Sequence, residues 1–224
     1  MVSIIIPVLN EENVIEEMLQ SLLKLKGDKE IIVVDGGSED NTVYLASKYA
    51  NVIKGRKGRA YQMNDGAKVA KGDILWFLHI DSKVSEESTF FIEKAISLGN
   101  IGGGLRLYFY DLDTYFMKFV SWSSNLRAKI GGLYFGDQGI FIKREVFEKL
   151  GGFKEVPLME DWDMAMRLKK QGKMKMIETK IGTSARKFKS EGQLKTLLFM
   201  HKIKLLYKFG VSEHKLRDMY YKSK

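Results

Sequence analysis

The chain of 224 residues carries 37 basic and 28 acidic side chains, a formal charge of +9, 45% hydrophobic residues and no cysteine. The missing thiols exclude disulfide frameworks and thiolate metal sites, and the positive balance favours anionic partners (nucleotides, nucleic acid or an acidic membrane surface) without choosing among them. Met1-Val2-Ser3 runs straight into Ile4-Ile5-Ile6 without the basic start and apolar core of an export signal, and no window approaches ~18 uninterrupted apolar residues, so a cytoplasmic protein without membrane spans is expected.

Val2 to Val8 reads as a short apolar strand, closed by Pro7 and Asn10. Glu11 to Leu25 places Val14, Ile15, Met18, Leu22 and Leu23 at helical spacing, and Gly27-Asp28 ends that helix. Glu30 to Asp35 is a second buried strand, Gly36-Gly37-Ser38 turns the chain, and Ser38 or Asp40 can cap a helix through about Tyr49. A strand over Asn51 to Lys54 and a glycine- and arginine-rich loop, Gly55 to Arg59, lead into a helix through Ala70. The apolar run Ile74 to Leu78 then reads as a strand buried on both faces. This alternation predicts a mostly parallel sheet with helices on both faces.

The later chain is mixed. Ser85 to Leu98 reads as a helix, Leu105 to Tyr110 as a strand after three glycines, and Asp111 to Lys129 as an aromatic-rich helix. Gly139 to Lys143 and Met174 to Glu178 are strand candidates, with helices over Arg144 to Leu150 and Glu160 to Gln171. Gln193 to Gly210 and Ser212 to Tyr221 form a helical tail. Without repeats or long linkers, one domain over residues 1–224 is expected: a nucleotide-binding half to about 100, an acceptor-side half over about 101–190, and the tail.

Polar groups gather at predicted strand ends and helix starts: Asn10-Glu11, Asp35, His79 with Asp81, and Glu160-Asp161. Each alone also fits a turn or a helix cap. In an open parallel sheet, however, ligands collect beyond the carboxyl ends of the strands, where a carboxylate such as Asp81 can hold a divalent cation against phosphates. Arg56, Lys57 and Arg59, ahead of a helix N-terminus, suit a diphosphate clamp or a solvated basic loop.

Val2 to Glu12 and Ile32 to Thr42, together with Phe77-Leu78-His79-Ile80-Asp81, Gly151-Gly152-Phe153 and Leu158 to Asp163 with Arg167-Leu168, resemble the ordered motifs of the inverting, GT-A-fold nucleotide-sugar glycosyltransferases of family 2. The resemblance covers the chain to about residue 178. Gly55 to Met63 and Gly136-Asp137-Gln138 are similar to a branch of small stand-alone bacterial and archaeal members. It implies a Rossmann-like GT-A fold and transfer of a sugar from a nucleotide-diphosphate donor, a UDP-sugar in the first instance, to a hydroxyl acceptor.

By that resemblance Pro7, Glu11 and Asp35 line the base and ribose pocket, and Asp81 coordinates Mg²⁺ or Mn²⁺ on the diphosphate. Asp161 is the implied catalytic base, with Glu160 supporting it or touching the donor sugar. His79 stands where the usual motif has Asp; it can ligate the metal, contact ribose or hydrogen-bond a carboxylate, and imidazole suits Mn²⁺ better than Mg²⁺. Gly36 replaces a second pocket Asp of many relatives, which leaves the donor base open. Asp137 and Gln138 are expected to read acceptor hydroxyls, and Arg186 to close over the diphosphate.

The tail sets Lys195, Lys202, Lys204 and Lys208 among Leu197, Leu198, Phe199, Ile203 and Leu205. Such a helix packs on a core or rests on an anionic membrane, at its inner face, where a lipid-linked acceptor would be met. Two other readings compete: a nucleotidyltransferase-like nucleotide-sugar enzyme, which should carry a multi-glycine phosphate loop after the first strand, and a non-catalytic basic module for nucleic acid or membrane. The second leaves the carboxylates unexplained, so no nucleic-acid partner is expected.

Overall fold

Val2–Val8 (β1) forms the spine of the sheet because its apolar residues can be buried on both faces. Side chains alternate across a strand, so Ile4 and Ile6 face one core and Ile5 the other. The structure, a computed structural model, describes residues 1–222, with side chains through Tyr221; the last residues of the domain expected over 1–224 lie outside the described residues.

After β1 come α1 (Ile15–Leu23), β2 (Lys29–Asp35), α2 (Thr42–Ala46), β3 (Asn51–Lys54), α3 (Arg59–Val69) and β4 (Ile74–Phe77). Next are β5 (Lys83–Val84), α4 (Ser88–Ser97), β6 (Gly102–Phe109), α5 (Tyr115–Gly131), β7 (Phe141–Lys143), α6 (Arg144–Lys149), α7 (Glu160–Leu168) and β8 (Met174–Thr183). The chain ends in α8 (Arg186–Glu191), α9 (Gln193–Lys208) and α10 (Glu213–Lys222). One eight-stranded sheet runs β3-β2-β1-β4-β7-β6-β8-β5. Its first four strands are parallel, as is β6 with β8, whereas β7 lies antiparallel to both neighbours and β5 to β8.

One face of the sheet packs Ile4, Val33 and Trp76 against α1 and α4 through Ile15, Leu19, Leu22 and Ile92. The other packs Ile5, Val34, Leu75 and Phe77 against α3, α6 and α7 through Met63, Phe147, Met164 and Leu168. Two smaller clusters hold the C-terminal helices: Met117 and Val120 of α5 meet Phe188 of α8, and Leu158 and Met159 meet Ile203 of α9 and Leu216 of α10.

Several boundaries differ from the sequence reading. The α1 helix begins four residues late because Glu11 to Val14 are used in a turn that binds the β2 loop. The three glycines expected to precede β6 are inside it, since a Cβ on Gly103 would lie 1.8 Å from the Lys175 carbonyl oxygen. The β8 strand extends five residues further than expected, and the six-residue α8 was not foreseen.

Candidate active site

The carboxyl ends of β1 and β2 are tied together before any ligand is considered. Asp35, 6% exposed, accepts hydrogen bonds from the backbone N–H of Gly37 and Ser38, each at 3.0 Å. Asn10 takes a left-handed conformation (φ 55°); its N–H donates to Ser38 Oγ and its side-chain oxygen accepts from Glu39 N–H. Glu11 N–H donates to Thr42 Oγ1, and Glu12 N–H to Asp40. Asp40, rather than Ser38, serves the start of α2, accepting from Thr42 N–H. Buried Gln62 of α3 donates to the carbonyls of both Val8 and Val34 at 2.8 Å, closing the two strand ends from below.

Pro7 helps open the crevice. The Ile5 carbonyl accepts from Leu78 N–H on the β4 side, and strand residues two apart point the same way. The β1–β4 register stops at Ile5 against Phe77, so the N–H that Pro7 lacks faces a place where β4 offers no partner. Beyond it β4 departs into His79 and Asp81.

Across that gap sits a tight polar cluster. Arg59, the first residue of α3, donates through Nε to Glu160 Oε1, and its Nη1 lies 3.4 Å from His79 Nε2. Glu160 is only 2% exposed and opens α7 beside Asp161. Asp161 Oδ2 accepts from Gly136 N–H at 3.0 Å, and its Oδ1 from the Trp162 N–H. A Cβ at Gly136 would lie 2.7 Å from His79 Nε2 and 3.6 Å from Asp161 Oδ2, so glycine lets these three groups meet. Burial, reinforced by the positive charge of Arg59 and Arg186, pulls the His79 pKa down to about 3 against the opposing pull of Asp161. The imidazole is therefore neutral at neutral pH.

On the strand side, Asp81 Oδ2 lies 4.0 Å from Arg186 Nη2. Burial raises the Glu11 pKa; Arg186 lowers it, and Asp81 and Asp40 raise it further, which puts Glu11 in the same group. His79 thus stands between two carboxylate sites, Asp81 with Arg186 and Glu11, and Asp161 with Glu160 and Arg59. Among the described residues no three His, Asp or Glu side chains converge as a metal cage. One carboxylate with open coordination fits Mg²⁺ or Mn²⁺ shared with substrate phosphates, since such ions are commonly held by one or two carboxylates plus phosphate oxygens.

Not every expected residue joins. Arg56 turns away: its Nε and Nη2 bind Asp65, Nη2 also reaches Glu155 at 2.8 Å, and the guanidinium lies over Tyr61. Gln138 is fully buried, with Oε1 accepting from Arg127 Nη2 and Nε2 facing Asn125, so its side chain is already engaged within the loop. Asp137 does point inward, with Oδ1 buried and unpartnered. Burial raises its pKa, Arg127 lowers it, Asp161 raises it and Lys204 lowers it. Sequence reasoning missed Arg127 and read Lys204 only as part of the basic tail; both lie over the Phe135 ring, from α5 and α9. No local pattern marks either residue. Asn64 of α3 clamps Phe153, accepting from its N–H and donating to its carbonyl.

Residues 3–151 match the model of "Glycosyl transferase family 2". The chain is 26% identical over 201 residues to the "Probable glycosyltransferase YdaM" of Bacillus subtilis, covering 75% of this chain and 46% of that protein. It is 29% identical over 187 residues to a "PGL/p-HBAD biosynthesis glycosyltransferase" of Mycobacterium bovis, covering 75% and 69%. The chain spans less than half the length of YdaM, and 16% of a Bacillus spizizenii poly(ribitol-phosphate) β-glucosyltransferase that it also matches. Among solved structures, S. aureus TarS superposes with TM-score 0.60 at 17% identity over 82% of this chain and 37% of TarS. The Pyrobaculum calidifontis mannosyltransferase PcManGT, in complex with GDP-Man and Mn²⁺, superposes with TM-score 0.62 at 18% identity over 79% and 54%. These likenesses establish the GT-A fold.

Proposed function

The chain belongs to glycosyl transferase family 2, and on that premise we propose that it transfers a sugar from a nucleoside-diphosphate donor to a hydroxyl acceptor by a single inverting displacement. The observation that carries the reading is the pair of carboxylate sites on either side of His79, one facing Arg186 and the other backed by Gly136. A displacement at a sugar carbon needs both: charge management at the leaving diphosphate and proton removal from the incoming hydroxyl on the opposite face.

Asp161 is the general base. Its two backbone hydrogen bonds aim the carboxylate, while remaining lone pairs are left for the acceptor proton. Such a base contributes about 10²–10⁴-fold. Glu160 acts through Arg59, whose guanidinium it orients toward His79 and the donor side. Arg186 meets the diphosphate, and Asp35 and Glu11 the nucleoside. Asp81 would hold Mg²⁺ or Mn²⁺, which when bound supplies positive charge that offsets the leaving group. UDP-sugars are the first donors to test, because a neighbour in fold, S. aureus TarS 1–349, was solved with UDP-GlcNAc.

Thermal unfolding with UDP, GDP and dTDP, each with and without Mn²⁺, tests the donor site: a metal-dependent rise with one of them is expected. Asp161→Asn should keep that rise while transfer falls by about 10²–10⁴-fold. Unchanged transfer by Asp161→Asn would remove it as the base, and the absence of any nucleotide response would remove the donor site.

A further inference from the structure

We propose that α5 and α9 together form a docking face for an anionic lipid bilayer. Along α5 the residues Tyr115, Phe119, Trp122, Leu126 and Ile130 follow steps of three and four, one stripe of a helix. They are 92%, 54%, 59%, 39% and 78% exposed, so the stripe lies on the side of α5 opposite buried Met117 and Ala128. Over these sixteen positions it runs about 22 Å. On α9, Leu194, Leu198, Leu205 and Phe209, just past its end, are likewise more than half exposed.

The two helices run the same way and are bridged through side chains near both ends. Thr114 at the start of α5 donates to Gln193 at the start of α9, and near their far ends Arg127 and Lys204 share the Phe135 ring. With that alignment and 100° per residue, both apolar stripes fall on the same outward side. Exposed Lys118 and Lys129 then line the outer edge of α5, and exposed Lys195 and Lys202 the outer edge of α9. Neither helix contains a single Asp or Glu.

This composition selects the occupant. An exposed apolar strip two helices wide marks a contact surface. Lys118 is paired with Asp113 at 3.0 Å, which leaves Lys129, Lys195 and Lys202 to meet anionic headgroups, and Trp122, Tyr115 and Phe209 suit the boundary between headgroups and acyl chains. The face lies flat on the membrane, since no helix among the described residues is long and apolar enough to cross one. The sequence pointed to α9 alone; the stripe on α5 is visible only when its buried side is known.

Co-sedimentation of the full chain with vesicles of phosphatidylcholine alone, and of phosphatidylcholine mixed with phosphatidylglycerol, tests the proposal. Binding to the mixed vesicles only is expected, with Trp122 emission shifting to shorter wavelength. Each lysine near an anionic surface is worth roughly fivefold in partitioning, so Lys195→Glu/Lys202→Glu should weaken binding by more than about twentyfold. Phe119→Ser/Trp122→Ser should abolish it. Both variants change exposed side chains, and unchanged thermal unfolding checks that they fold. Equal binding to both vesicle types, binding to neither, or insensitivity to both variants would overturn the proposal. So would a dimer by light scattering that Phe119→Ser/Trp122→Ser dissolves, which would make the face a contact between copies. None of these readouts needs turnover, so they stand or fall apart from the transferase reading.

Discussion

Removing Arg59 should be more damaging than removing Arg59 and Glu160 together. Glu160 is 2% exposed and its hydrogen-bonded cation is Arg59, itself 41% exposed. Breaking a fully buried ion pair from one side costs about 3–5 kcal/mol, because the other charge is left without compensation. Water reaching Arg59 screens part of this, so about 2 kcal/mol is expected for Arg59→Met. Glu160→Gln leaves a half-exposed guanidinium that water can solvate, at a cost of about 1 kcal/mol. In the double variant no buried charge remains, and its loss should stay near that of Glu160→Gln. Urea unfolding of the four proteins at neutral pH therefore yields a coupling of about 1–2 kcal/mol. Losses that add within about 0.5 kcal/mol would refute the argument and show that Glu160 is compensated by something other than Arg59.

Asn64→Ala orphans the N–H and carbonyl of Phe153 in the interior and should cost about 2–4 kcal/mol by the same unfolding assay. Asp137 binds protons more readily when folded, since burial raises its carboxyl above the ordinary 3.8. The native state therefore holds more protons than the unfolded chain, and stability is lost as pH rises through the raised value. Asp137→Asn should accordingly unfold at higher temperature than the parent at neutral pH, with the gain narrowing in acid; a pH-independent difference would refute the assignment. Fully buried Leu216 anchors α10 in a satellite cluster rather than the main cores. Leu216→Ala removes about 2–3 kcal/mol of local docking, seen as faster hydrogen exchange across α10 with little change in the main unfolding midpoint.

The donor half was legible because its signals are local. Unbroken apolar runs mark β1, β2 and β4, and the helices between them repeat at helical spacing. Asp35, Asp81 and Asp161 could be placed because each follows or opens an element whose end the sequence marks. What stayed hidden depends on contacts between distant segments. Gly102, Gly103 and Gly104 read as a loop because glycine disfavours strands, yet they are where β7 and β8 approach β6 most closely. The outer half of β8 alternates polar residues that give no core signal. The partners of Arg56 and Gln138 were hidden for the same reason: Asp65 with Glu155, and Arg127 with Asn125, meet them only in three dimensions.

The helical tail is part of the site rather than an appendage. Met159 precedes α7 in the left-handed region at φ 70°, a conformation that costs a non-glycine residue roughly 1–2 kcal/mol. Such a conformation persists where surrounding packing over-determines it. Here Leu158 and Met159 are each 8% exposed and pack against Ile203 and Leu216, with Trp162 stacked on Phe135 beside them. That turn sends Glu160 toward Arg59 and Asp161 toward Gly136. Residues from α9 and α10 therefore hold the backbone angle that aims the carboxylates, and Lys204 of α9 adds positive charge beside Asp137. The ends of β1, β2 and β4 carry Asp35 and Asp81 by themselves; Glu160 and Asp161 need the tail to stay where they point.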